Sequence, residues 1–83
     1  MATRVASGTT EARILVWIAD EGPQRLADTV VELPQHSKRS CQHALDRLVN
    51  KGLLHREKID NERYYCMTLL GMSRVEVVEG EAS

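Results

Sequence analysis

Lys38, Arg39, Ser40, Gln42, His43 and Arg47 crowd a single run of the chain and carry donors of every reach, from hydroxyl to guanidinium. Arg and Gln offer forked donors that pair with base edges, while Lys, Arg and Ser hold phosphate oxygens. A second run, Arg56, Lys58, Asn61 and Arg63, repeats the cationic theme a short way on. The chemistry these types permit is recognition of a polyanion. Catalytic patterns are missing: there is no Gly-rich phosphate loop and no Gly-flanked nucleophile. The carboxylates Asp20, Glu21, Glu57, Asp60 and Glu62 fall in turn-like segments where such groups are ordinarily solvated. We therefore expect no enzyme and no cofactor. His36, His43 and His55 with Cys41 and Cys66 are metal-ligating types. Cys41 and His43, however, are two positions apart and point to different sides of a helix, so no metal site is expected.

The first run needs a helix to present it, and the sequence marks one with a start and a stop. Ser37 is placed to cap the helix by accepting from a free first-turn N–H. Gly52 supplies a left-handed stop, and Lys51 sits favourably at the negative end of the dipole. Cys41, Ala44, Leu45, Leu48 and Val49 recur at three- and four-residue spacing and form a buried stripe. Lys38, Arg39, Ser40, Gln42, His43, Asp46, Arg47 and Asn50 are left outward. Helix 37–51 thus has the make-up of a reader of the major groove of double-stranded DNA. After Gly52, the runs Leu54 to Ile59 and Arg63 to Met67 flank a turn of Asp60, Asn61 and Glu62, which predicts a β-hairpin. Tyr65 and Met67 share one strand face, with Leu54 meeting them from the partner strand.

Two motifs make the pattern specific. Leu45-Asp46-Arg47-Leu48-Val49-Asn50-Lys51-Gly52-Leu53-Leu54 resembles the "LxxLxxxGLL" end of the recognition helix in MarR- and PadR-type winged-helix regulators. Arg63-Tyr64-Tyr65-Cys66-Met67-Thr68-Leu69-Leu70-Gly71 is similar to their "R-Y-Y-x-L-T-x-x-G", with Met67 where Leu is usual. The likeness runs from about Thr10 to Gly71. It implies a mainly α fold with a small β-hairpin: a winged helix-turn-helix of three core helices plus wing. It also implies a cytoplasmic, DNA-binding transcription regulator or repressor. Ser37, Lys38, Arg39, Ser40, Gln42, His43 and Arg47 are the expected groove contacts. Arg56, Lys58, Asn61 and Arg63, on the wing 54–67, would meet the backbone or minor groove.

Charge qualifies that reading. The chain has 83 residues and a formal net charge of −1, low for a general nucleic-acid binder. Its distribution is uneven. Residues 1–34 hold three basic and five acidic side chains, residues 35–71 seven and four, and residues 72–83 one and three. The three segments therefore carry −2, +3 and −2, and the positive charge sits on the expected helix and wing. No stretch is long or apolar enough to cross a membrane, and no signal peptide is evident. Cys41 and Cys66 read as free thiols of a reducing compartment.

The remaining segments complete one domain at 9–71. Residues 1–8 are small and polar and are expected to be disordered. Thr9 or Thr10 caps a first helix to about Asp20, with Ala12, Ile14, Leu15, Trp17 and Ile18 inward. A second helix from Gln24 or Arg25 to Glu32 turns Leu26, Ala27, Val30 and Leu33 inward and leaves Arg25 able to touch a phosphate. The tail 72–83 is readable as helix or strand: Thr68 could cap a helix, yet Arg74 to Glu79 alternates. Val16, Leu70, Val75, Val77 and Val78 have no evident home in one domain's core, which points to a homodimer through these segments. The alternative function is a winged helix used for protein–protein interaction, favoured by the acidic balance and tail.

Overall fold

The computed structural model describes residues 9–82, with side chains through Val75; the segment 1–8, expected to be disordered, lies outside the described residues. Element order is α1 (Thr10–Glu21), α2 (Leu26–Glu32), α3 (Lys38–Asn50), β1 (Leu54–Ile59), β2 (Glu62–Met67) and α4 (Leu69–Ala82). This is the expected winged helix-turn-helix, with the tail as a helix.

Each boundary follows from local chemistry. Thr9 caps α1, accepting from Ala12 N at 3.1 Å, and Gly22 ends the helix at φ 91°. Ser37 caps α3, accepting from Ser40 N at 3.1 Å, and Gly52, at φ 77°, turns the chain away from it. The hairpin turn is shorter than expected: Asp60 and Asn61 alone form it, both left-handed at φ 51° and 66°, and Glu62 belongs to β2. Positive φ at both central residues is the turn whose twist matches paired strands, and Asp and Asn tolerate it better than most residues. It fixes the register Leu54↔Met67, His55↔Cys66, Arg56↔Tyr65, Glu57↔Tyr64, Lys58↔Arg63 and Ile59↔Glu62.

The second helix corrects the sequence reading in two ways. It begins only at Leu26, because Gln24 is drawn into an antiparallel bridge with Tyr65, its N–H and C=O both bonded to Tyr65 at 3.2 and 2.8 Å. Its inward face is Leu26, Thr29, Val30 and Leu33, while Ala27 is exposed. Thr29 is fully buried with its hydroxyl donating to Arg25 O at 3.0 Å, so no polar atom there is stranded.

The core collects Ile14, Leu15 and Ile18 from α1, Leu33, Cys41, Leu45 and Leu48 from α2–α3, and Leu53, Leu54 and Tyr65 from the wing. Trp17 and Val16 pack half-buried against it. Val75 joins this cluster at 4% exposure, which overturns its assignment as a residue without a home. α4 lies against α1 and brings Val75 in. The side chains of Val77 and Val78 lie outside the described residues.

α4 can dock only because residue 71 lacks a side chain. Thr68 caps α4, accepting from Gly71 N at 2.9 Å, and also donates to Gly52 O at 2.7 Å and Leu53 O at 3.0 Å. A Cβ on Gly71 would collide with the Leu53 carbonyl oxygen and the Met67 sulfur. Gly71→Ala in an open helix would stabilise by about 1 kcal/mol. Here we expect a loss of about 1–3 kcal/mol, the usual penalty for forcing atoms into a packed site, read by urea denaturation. An unchanged or raised midpoint would show that α4 does not sit this close to Leu53.

Candidate nucleic-acid interface

α3 presents its polar side to solvent between α2 and the wing. Ser37, Lys38, Arg39, Ser40, His43 and Arg47 are exposed, as are Arg56, Lys58, Asn61 and Arg63 on the hairpin. Among the described residues, Lys38, Arg39, Arg47, Lys58 and Arg63 make no ion pair. Register sets Lys58 directly opposite Arg63, two like charges whose repulsion raises the local potential. Between wing and helix runs a groove lined by Leu26, Gln42 and Tyr65 together with Arg56, Glu57, Lys58, Asn61 and Arg63. Ser37 and Ser40 are coupled to each other in the helix cap, with Oγ atoms 3.1 Å apart.

Gln42 is not the free outward donor that its sequence position suggested. It is half-buried, and its amide nitrogen donates to Asp46 Oδ1 at 2.9 Å and to the Tyr65 hydroxyl at 3.0 Å. Position 42 lies on the flank of α3 that faces the hairpin, so the side chain spans the gap to β2 rather than entering solvent. Only its carbonyl oxygen retains spare capacity. Tyr65, at 2% exposure, thereby gains the partner that a buried phenol needs.

Asp46 organises the same flank. Arg56 donates to Asp46 Oδ1 at 2.8 Å, linking wing to helix. That hydrogen bond, aided by the one from Gln42, holds the Asp46 carboxyl below its usual range against the opposing effect of burial. Arg25 is also committed. It meets Asp28 through two parallel bonds of 3.0 Å and Glu62 Oε1 at 2.9 Å, tying the start of α2 to β2 rather than waiting for a phosphate. The Asp28 carboxyl is lowered chiefly by the side-chain bond from Arg25. On the far side of α3, Lys51 Nζ pairs with Glu11 Oε1 at 2.6 Å and joins the end of α3 to the start of α1. His43 and Arg47 line a second, polar concavity there with Thr10 and His36.

Cys41 is fully buried and His43 exposed, as their spacing implied. Both thiols are free, and burial pushes each upward, with Glu57 adding to the effect at Cys66.

Four helices with a two-stranded wing are an arrangement shared with solved proteins. The chain superposes on RV1404 from Mycobacterium tuberculosis with a TM-score of 0.80 at 25% identity, over 89% of this chain and 52% of that one. A MarR protein from Peptoclostridium difficile gives 0.76 at 17% identity, over 89% of this chain and 50% of that one. The fold is a MarR-like winged helix. The transcriptional regulator Tm0710 from Thermotoga maritima matches this MarR-like fold at 0.76 and 28% identity, over 86% of this chain and 50% of its own. The chain spans about half the length of these structures. No family model matches the sequence, and no curated protein is similar to it. No described helix is long and apolar enough to cross a membrane.

Two outcomes follow from the helix–wing contacts. Tyr65→Phe removes one buried hydrogen bond and should cost about 0.5–1.5 kcal/mol in urea unfolding; no loss would mean that the hydroxyl does not anchor Gln42. A carboxylate with a lowered folded-state pKa contributes stability above its ordinary value and loses it as pH falls through the folded one. Stability should therefore decline below about pH 4, where free carboxylates begin to protonate. Asp46→Asn should flatten that acid limb; an unaltered limb would place the acid sensitivity elsewhere.

Proposed function

We propose that this chain is a transcriptional regulator that binds double-stranded DNA in a sequence-dependent way, with α3 in the major groove and the wing on adjacent backbone or minor groove. One observation carries the reading: exposed cations without an ion-pair partner stand on α3 (Lys38, Arg39, Arg47) and on the wing (Lys58, Arg63), while two nearby acids are held by internal partners. Asp46 faces Arg56 and Glu62 faces Arg25. Residues 35–71 carry +3 although the chain as a whole carries −1, which favours a polyanion at these segments. The similarity to a transcriptional regulator at 28% identity supports the same reading.

Within the face, roles divide by reach. Lys38, Arg39, Ser40 and His43 lie on the first turns of α3, which in helix-turn-helix proteins meet base edges. Arg39, with its two-pronged donor, is the leading base reader. Ser37, Arg47, Lys58, Asn61 and Arg63 suit phosphate contacts that position without specifying. Gln42 and Arg56 hold the geometry. A homodimer supplies two reading helices, because a lone module buries only about 600–1,000 Å² on DNA. The surface proposed for it is the start of α4, where Leu69 is 90% exposed, Leu70 41% and Met72 43%. It replaces the contact through Val75, which is occupied within the core.

Selection of preferred duplexes, followed by anisotropy titrations over a salt series, tests the proposal. Arg39→Ala should weaken the selected site by about 1–3 kcal/mol and relax preference locally. Lys58→Ala and Arg63→Ala should weaken all sequences alike and each reduce the salt slope by about one unit. Absence of binding to any duplex at low salt would overturn the reading and favour a protein-interaction module. By sedimentation, the chain should be dimeric at micromolar concentration and Leu69→Glu monomeric; a monomeric wild type would discard the dimer alone.

A further inference from the structure

The face of the wing opposite Leu54, Arg56 and Lys58 carries a set of side chains that the DNA reading does not use. Alternation puts His55 and Glu57 on one face of β1, and the register sets His55 directly across from Cys66 on β2. An imidazole nitrogen, a carboxylate oxygen and a thiol sulfur there all lie within 4.8 Å of one another. His55 and Glu57 are exposed, while Cys66 is buried beside them, 6% exposed, with its thiol donating to Glu57 Oε2 at 3.6 Å.

The separation of Cys66 from Glu57 matches an edge of a small coordination tetrahedron. Zinc–ligand lengths of about 2.3 Å to sulfur and about 2.0–2.2 Å to nitrogen and oxygen place bound atoms roughly 3.4–3.6 Å apart. The Cys66–Glu57 separation already has that value, and the two edges to His55, no longer than 4.8 Å, are closed by movement of a side chain exposed on its strand. A thiolate and an imidazole favour zinc over magnesium or calcium, which prefer all-oxygen sites. We propose that His55, Glu57 and Cys66 form a Zn²⁺ site on the outer face of the wing, with water in the fourth position. On binding, the metal forms bonds to the imidazole nitrogen, a carboxylate oxygen and the Cys66 sulfur. The S–H bond breaks, and its proton, now directed at Glu57, leaves to solvent. The wing gains one net positive charge, two from the ion less one for the thiolate.

The site stands on the hairpin register and is independent of the DNA reading, so it is tested with metal alone. Titration of the reduced, full-length chain with Co²⁺ should give a sulfur-to-cobalt charge-transfer band at one equivalent, removed on adding Zn²⁺. Cys66→Ser should abolish the band. His55→Ala and Glu57→Gln, at exposed positions that leave the core untouched, should each weaken Zn²⁺ binding at least about tenfold. His36→Ala, with its side chain outside the wing, should bind Zn²⁺ as the wild type does. No charge-transfer band at millimolar Co²⁺, a band surviving Cys66→Ser, or affinity indifferent to both His55→Ala and Glu57→Gln would each overturn the proposal.

Discussion

The architecture hangs on the stretch of backbone at Gly52 and Leu53. There α3 ends, β1 begins, and the chain returning from β2 must pass on its way into α4. Thr68 answers both carbonyls with one hydroxyl, adds its own N–H to Leu53 O at 3.3 Å, and caps the helix that follows. Unpaired backbone groups in a buried corner are costly, so this closure is what lets two element ends share one place. Gly71 then lets α4 approach closely enough to deliver Val75 to the core beside α1. Wing, α3 and α4 are therefore registered to one another through a few backbone atoms rather than through a large apolar interface.

Electrostatics on the groove side follow a division of labour. Each acid near the helix–wing boundary is bonded to a particular arginine: Asp46 to Arg56, and Asp28 and Glu62 to Arg25. These pairs are partly solvated, and their worth in stability is small. Their effect is on geometry and on field. They fix the wing and the start of α2, and they take Asp28, Asp46 and Glu62 out of competition for the cations further out.

What the sequence disclosed was what local chemistry decides. The Ser37 cap, the Gly52 stop and the Cys41-Ala44-Leu45-Leu48 stripe are short-range signals, and α3 formed where they placed it, while the hairpin formed with its turn one residue shorter than read. Long-range pairing was less legible. Nothing near Gln24 announces that it will bond to Tyr65, and that bond delays α2 and sets its inward face, leaving Ala27 outside. Gln42 looked like a free reader because a helical wheel does not show how near the hairpin will come. Val75 looked homeless because its partners on α1 are distant in sequence. The His55, Glu57 and Cys66 set was within reach: a two-residue turn fixes the register, and counting back from it pairs His55 with Cys66. Assigning Glu62 to the turn hid that count.

Tyr65 holds the wing from three sides. Its backbone pairs with β1 on one edge and with Gln24 on the other, and its hydroxyl receives Gln42 from α3. The angle between wing and helix is thus set before any duplex arrives, like the opening of a locked caliper. Under the proposed DNA reading, a duplex gripped by both must bring its groove width and curvature to that opening, and the work of doing so depends on the stiffness of its base steps. Preference would then extend to base pairs that no side chain touches, read as ease of bending rather than as hydrogen bonds.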